Sequence, residues 1–288
     1  MTAALALATS LLWGLADFGG GLLTRRRSAL TVVVVSQALA AVVLGVVVVA
    51  LGAWSEIGPQ LWFAVAAGTV GPVALLCFYR ALAMGPMGVV SPLASVGAVA
   101  VPVGAGLALG ERPGWVQVLG IAVAVTGVVL ASGPGMRGAP VHQRTIVLTL
   151  ISAFGFGAVM ALIEHASTTT AGLFLALFVQ RLCNVAVGGA ARWAETRRAA
   201  PEESPEERGT LVRALPALAF VGLADVAANG TYMVAAQRGP VTVAAVLASL
   251  YPVVTALAAR GMLGERLRGL QTAGAGLALL GSVLLASG

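Results

Sequence analysis

Apolar stretches of roughly 20 residues follow one another from end to end of this 288-residue chain, and each is long enough to cross a bilayer as a helix. Ten are readable, at about 2–23, 29–51, 60–82, 87–109, 115–132, 145–163, 170–191, 211–235, 240–262 and 268–287. They use nearly the whole chain and leave no room for a soluble catalytic domain. Composition agrees: 59% of residues are hydrophobic, 10% are charged and mean hydropathy is +0.96, whereas a soluble surface calls for about 25% charged residues. The expected fold is an all-α polytopic membrane protein with ten transmembrane helices.

The polar residues narrow the function. All basic residues other than the two histidines are arginine, and there is no lysine. A phosphate-binding Walker A loop and a lysine Schiff base are therefore both excluded. No HExxH, GxSxG or paired catalytic carboxylates at motif spacing are visible, so an enzyme is not expected. Neither a cofactor nor a metal is expected. The pI near 10.6 does not point to nucleic acid, because the arginines sit in loops between spans, where they set orientation against the bilayer. Cys77 and Cys183 fall inside spans and read as buried free thiols rather than a disulfide. The N-terminal MTAALALATSLLWG has no basic segment ahead of its apolar run, which argues against a cleaved signal peptide.

The chain also repeats itself. Residues 78–132 slide onto 232–286 without a gap: Gly85-Pro86 falls on Gly239-Pro240, and Leu93-Ala94-Ser95 on Leu247-Ala248-Ser249. Leu109-Gly110-Glu111-Arg112 falls on Leu263-Gly264-Glu265-Arg266, and Gln117 on Gln271. Upstream the match is looser, with Gln37 on Gln180 and Trp13-Gly14 near Phe154-Gly155. Residues 1–133 and 134–288 are thus expected as two five-helix repeats, the second carrying a polar loop at 192–210. Five is odd, so the second repeat enters the membrane from the opposite side and the two copies are expected to be inverted. Inverted repeats are an architecture of secondary transporters, with the substrate site near the midplane between halves. The LGER turns read as structural: Gly110 and Gly264 end a helix in the left-handed conformation, and Glu111, Arg112, Glu265 and Arg266 hold the turn among the headgroups.

These motifs carry a family resemblance. LLWG at 11–14, FYRALAMGP at 78–86 before a Ser/Pro-bearing span, LGER before a Gly-rich fifth span, YMVAAQRGP at 232–240 and the second LGER resemble the ten-helix drug/metabolite transporters with two EamA domains. The resemblance covers about 3–132 and 145–287. It implies export of a small molecule such as an amino acid, drug or other metabolite, with protons as a candidate coupling ion. Relatives that move sugars or lipid-linked sugars keep a passive facilitator or a flippase open as alternatives. The implied location is the cytoplasmic (inner) membrane, with the lipid bilayer and a small-molecule substrate as partners and the oligomeric state open.

Arginine placement sets an expected orientation. Arg25, Arg26 and Arg27 follow span 1, Arg80 lies near the end of span 3, and Arg137 and Arg144 follow span 5. Loop 7–8 holds Arg192, Arg197, Arg198, Arg208 and Arg213, and Arg260, Arg266 and Arg268 lie near loop 9–10. The opposite side has only Arg112 and Arg238. The positive-inside rule then places these odd-numbered loops in the cytoplasm and both termini outside, whereas the family picture has both termini inside. The stretch RWAETRRAAPEESPEERGT at 192–210 reads as a solvated connector.

Ionisable groups within spans cost about 2.5–3.5 kcal/mol each at a helix centre and are candidate functional residues facing the bundle interior. Asp225 lies mid-span, with Asn229 and Tyr232 at i+4 and i+7 on one face. Arg181, flanked by Gln180 and with Asn184 one turn on, lies at similar depth in the preceding span. The two charges can pair, either as a structural clamp or as part of a substrate or proton site. Asp17 shares a face with Trp13; it either neutralises the arginines beyond it or accepts a proton, with Trp13 as a wall for an apolar or aromatic substrate. Gln37 joins the candidates as the repeat mate of Gln180. Ser91 and Ser95 share a face of span 4 with Pro92 between them, and Ser249, the mate of Ser95, precedes Tyr251 and Pro252. The resemblance implies that these two helices line the cavity. Gly120 and Gly127, like Gly274 and Gly281, lie seven residues apart, a spacing that suits close helix packing in spans 5 and 10.

Overall fold

The computed structural model of the chain describes residues 1–108, 114–132, 142–199, 205–238, 241–267 and 269–287. Among them there are helices and turns but no strand. In chain order the α-helices are α1 (Thr2–Thr24), α2 (Ala29–Ala50), α3 (Leu61–Met84), α4 (Met87–Ala108), α5 (Trp115–Ser132), α6 (Gln143–Glu164), α7 (Thr170–Ala199), α8 (Pro205–Arg238), α9 (Val241–Ala248), α10 (Tyr251–Leu263) and α11 (Gly269–Ser287), with a short 3₁₀ turn, Ala53–Glu56, between α2 and α3. Within α1, α2, α3, α6, α7 and α8 the apolar stretches are long enough to cross a membrane. The chain is a polytopic helical membrane protein.

Two expected boundaries differ from the structure. The ninth apolar stretch is not one helix: it breaks at Ser249 and Leu250 into α9 and α10. Pro252 supplies no N–H, and its ring would collide with the carbonyl four residues back in a continuous helix. The turn closes with tighter bonds instead, from Leu250 N–H to Leu247 O at 3.4 Å and from Val253 N–H to Leu250 O at 2.9 Å. The stretch at 192–210 is not a plain connector either. Helix α7 runs on to Ala199 and α8 begins at Pro205. The Ala, Arg and Glu residues there are good helix formers, Pro205 suits the first helical position, and Arg197 stacks over the Trp193 ring at 3.7 Å.

Packing relies on small residues, as expected where lipid removes the hydrophobic drive between helices. A β-carbon on Gly127 would strike the backbone of Gly274 and Ala278, and one on Gly281 would strike Ala124, so α5 and α11 meet backbone to backbone. The order of these contacts makes the two helices antiparallel. Helices α2 and α7 are antiparallel as well: Gly45 lies against Phe178, Gln37 bonds Arg181, and Thr31 Oγ1 accepts from Arg192 Nη1 at 2.9 Å. Helix α1 packs antiparallel to α8, from Met1 beside Arg238, through a 2.9 Å hydroxyl bond between Thr9 and Thr231, to Gly19 against Val221. A core of Phe18, Val32, Phe78, Tyr79, Leu82, Met87, Leu218 and Val221 joins α1, α2, α3, α4 and α8.

Candidate functional site

The interior of this bundle holds a polar network built on three helices, α2, α7 and α8. At its centre Arg181 on α7 donates from Nη2 to Asp225 Oδ2 on α8 at 2.6 Å and from Nη1 to Gln37 Oε1 on α2 at 2.9 Å. Asn184, one turn along α7, donates from Nδ2 to the same Gln37 oxygen at 2.9 Å. Asn229 lies one turn after Asp225 and donates to its main-chain oxygen at 2.7 Å and to Oδ1 at 3.3 Å. Gln37, Gln180, Arg181 and Asn184 are buried, but the Asp225 side chain keeps 24% of its surface open.

Helix α1 approaches from the other side. Asp17 is half-buried, within electrostatic reach of Asp225, and takes no hydrogen bond or ion pair among the described residues. Arg25 does not turn back to it; Arg25 pairs with Glu265 instead, at 3.1 Å. One turn before Asp17, Trp13 meets Tyr232 of α8 and Tyr251 of α10, each with ring centroids 6.0 Å apart. Gly14 lets α10 come this close: a β-carbon there would lie 2.6 Å from the Tyr251 carbonyl oxygen, and Thr255 Oγ1 donates to Gly14 O at 3.1 Å.

The network is not fully satisfied. Gln180 Oε1, Arg181 Nε and Asn184 Oδ1 are buried with no hydrogen-bond partner among the described residues. A buried polar group left unpaired costs about 1–3 kcal/mol, so these atoms are natural partners for water or a bound solute. Gly68 and Gly71 on α3 make room for this face of α7: a β-carbon on Gly71 would lie 2.6 Å from Asn184 Oδ1.

Of the residues singled out in the sequence, Trp13, Asp17, Gln37, Gln180, Arg181, Asn184, Asp225, Asn229, Tyr232 and Tyr251 thus belong to one region. Two of the three candidate serines lie in other surroundings. Ser95 donates to Pro92 O at 2.8 Å and lies 3.5 Å from the Ser282 hydroxyl, in the packing of α4 on α11. Ser91 is buried, and its hydroxyl has no partner among the described residues. Ser249 lies in the turn between α9 and α10. Tyr79 escaped the sequence reading. It is buried on α3 with its ring against Gly20 of α1, within electrostatic reach of Asp17, Asp225 and Arg181. Its position inside FYRALAMGP marked it as a motif residue, and nothing in the local spacing aimed it at Asp17 and Asp225.

Of the two LGER turns, Gly110, Glu111 and Arg112 lie outside the described residues. In the other turn, Gly264 ends α10 in the left-handed conformation at φ +66°, and the N–H groups of Gly264 and Glu265 both close back on Ala259 O, the latter at 3.4 Å. Glu265 does more than sit among headgroups: it binds Arg25 beyond α1 and lies 3.5 Å from the Gly88 N–H in the first turn of α4. Arg266 is exposed.

The model of the EamA-like transporter family matches residues 1–133 and 143–287, nearly the entire chain. The chain belongs to the EamA-like transporter family. Membership makes it a membrane transporter of the drug/metabolite superfamily, whose EamA members are transporters rather than enzymes. No curated protein matches it closely enough to add a relative. Among the described residues no group of three His, Cys, Asp or Glu is placed to hold a metal ion.

Proposed function

We propose that this EamA protein is a secondary transporter of the cytoplasmic (inner) membrane that exports a small metabolite, amino acid or drug by alternating access. The observation that carries the proposal is the Arg181–Asp225 pair with Gln37, Asn184 and Asn229 around it, a buried polar network that faces an unpartnered Asp17. Charges within a membrane are costly and are kept where solutes or ions pass. A structural clamp needs the pair alone, whereas here several buried polar atoms beside it have no partner among the described residues.

Alternating access needs two halves that rock against each other. Helices α2 and α7 hold the second position in the two repeats, α5 and α11 the fifth, and each pair is antiparallel, which supports inversion. The site residues come from both repeats. On the Arg25 side the Arg25–Glu265 pair joins the two halves, which suits a conformation closed on that side. The arginine pattern argues that this side is cytoplasmic.

The test is reconstitution. Purified protein in liposomes, offered amino acids, drugs and metabolites with and without a pH gradient, should move at least one of them against its own gradient when the proton gradient is imposed. Movement only down the substrate gradient would favour a passive facilitator, and transfer of lipid-linked sugars between leaflets a flippase. Conversion of substrate without vesicles would overturn the transport reading.

A further inference from the structure

We infer that the solute this transporter takes is a monovalent organic cation with an apolar or aromatic body, held by the Asp17 carboxylate and the ring cage of Trp13, Tyr232 and Tyr251. The inference rests on the transport reading and names the ligand class of the same site.

Charge is the first argument. Among the described residues the ionisable groups of the network are Asp17, Asp225 and Arg181. The guanidinium is committed to Asp225 at 2.6 Å and to Gln37 at 2.9 Å, which leaves Asp17 as the carboxylate without a cation. An anionic solute would meet two carboxylates and one guanidinium already in use. A neutral solute would leave the Asp17 carboxylate to be neutralised by a proton, because an isolated charge is costly in a low-dielectric setting. A cation completes the set.

The shape of the site is the second argument. Rings from three helices converge one turn from Asp17, with Tyr251 edge-on to Trp13 at 72° and Tyr232 tilted to it by 36°. All three residues are half-buried. Tyr251, like Tyr79, is within electrostatic reach of Asp17. Ring faces attract organic cations, and aromatic cages beside a carboxylate suit quaternary ammonium groups. If Asp17 merely held a proton, this cage would have no part in its neutralisation.

Binding of phenyltrimethylammonium and of its uncharged isostere tert-butylbenzene to the full chain in lipid nanodiscs, measured by calorimetry, tests the inference. The cation is expected to bind at least tenfold tighter than the isostere. Asp17→Asn should remove that preference, Asp17→Glu should keep it, and Trp13→Leu should weaken cation binding about fivefold with unchanged thermal melting. Equal affinity for the two probes, no binding of the cation, or full cation binding by Asp17→Asn would overturn the inference. If liposomes move an uncharged or anionic solute while the cation does not bind, the ligand class is wrong and the transporter stands. Cation binding without movement of any solute would leave the ligand class in place and remove the transport reading.

Discussion

Arg25, just past the end of α1, and Glu265, just past the end of α10, meet in an ion pair of 3.1 Å across 240 residues of sequence. Glu265 also reaches the first turn of α4 at the Gly88 N–H, where the positive end of the helix dipole favours a carboxylate. One side chain therefore holds three elements of the two repeats at one membrane surface, on the side towards which Asp17 lies along α1. The pair is partly exposed, and such pairs contribute only about 0–1 kcal/mol. A contact this weak would be broken and remade readily in the alternating-access cycle proposed above.

Glu265→Gln should accordingly loosen this surface. With Cys77 and Cys183 replaced by alanine and a reporter cysteine at Asn229, the variant should react faster with an impermeant thiol reagent added from the Arg25 side. High salt should have a similar, smaller effect, because it screens the exposed pair. An unchanged rate would mean that the contact does not restrain the closed state.

Asp225→Asn should leave a folded, membrane-inserted protein that no longer transports. Asn keeps the shape and one acceptor oxygen for Arg181 but removes the charge that balances it. Exchanging the two charges, with Asp225→Arg and Arg181→Asp, should not restore transport. Recovery of both folding and transport in the exchanged protein would make the pair a clamp and nothing more.

Glycines separate scaffold from open surface. Gly127→Val should lower stability by about 1–3 kcal/mol or more, because its side chain would enter the backbone of α11 at Gly274 and Ala278. Gly276→Ala, where a β-carbon meets nothing within 4 Å, should change stability by less than about 0.5 kcal/mol. Thermal melting of both in detergent checks the contrast. Equal melting would contradict the close α5–α11 packing.

Orientation is open to a direct check. Glu195 is exposed on the extension of α7, on the arginine-rich side. A cysteine placed there, with Cys77 and Cys183 replaced by alanine, should react with an impermeant reagent only after cells are opened. Labelling on intact cells would reverse the assignment.

Much of the site was legible because membranes make polar residues conspicuous. Asp225 and Arg181 stand out in apolar spans, and the i, i+4, i+7 spacing of Asp225, Asn229 and Tyr232 fixes a face without any tertiary knowledge. Gln37 entered through its repeat mate, yet its role as shared acceptor for Arg181 and Asn184 needs the α2–α7 contact, which no local pattern encodes. Tyr79 was missed for the same reason: its place beside Asp17 depends on Gly20 letting α3 come close to α1. The break before Pro252 was hidden by the unbroken hydropathy of residues 240–262, which measures apolarity and is blind to backbone hydrogen bonding. The α7 extension was misread because charge composition was weighed above helix propensity in a stretch that has both.

The most direct measurement needs no knowledge of the substrate. Asn229 sits within the network, half-buried beside Asp225, and alternating access requires that this point open to each side in turn. A single cysteine at position 229, with Cys77 and Cys183 replaced by alanine, should be labelled by an impermeant thiol reagent from either face of sealed vesicles, while those vesicles stay tight to sodium ions. Labelling from one face alone, from neither, or together with a steady sodium leak would contradict a transporter that exposes the Arg181–Asp225 network alternately to the two sides.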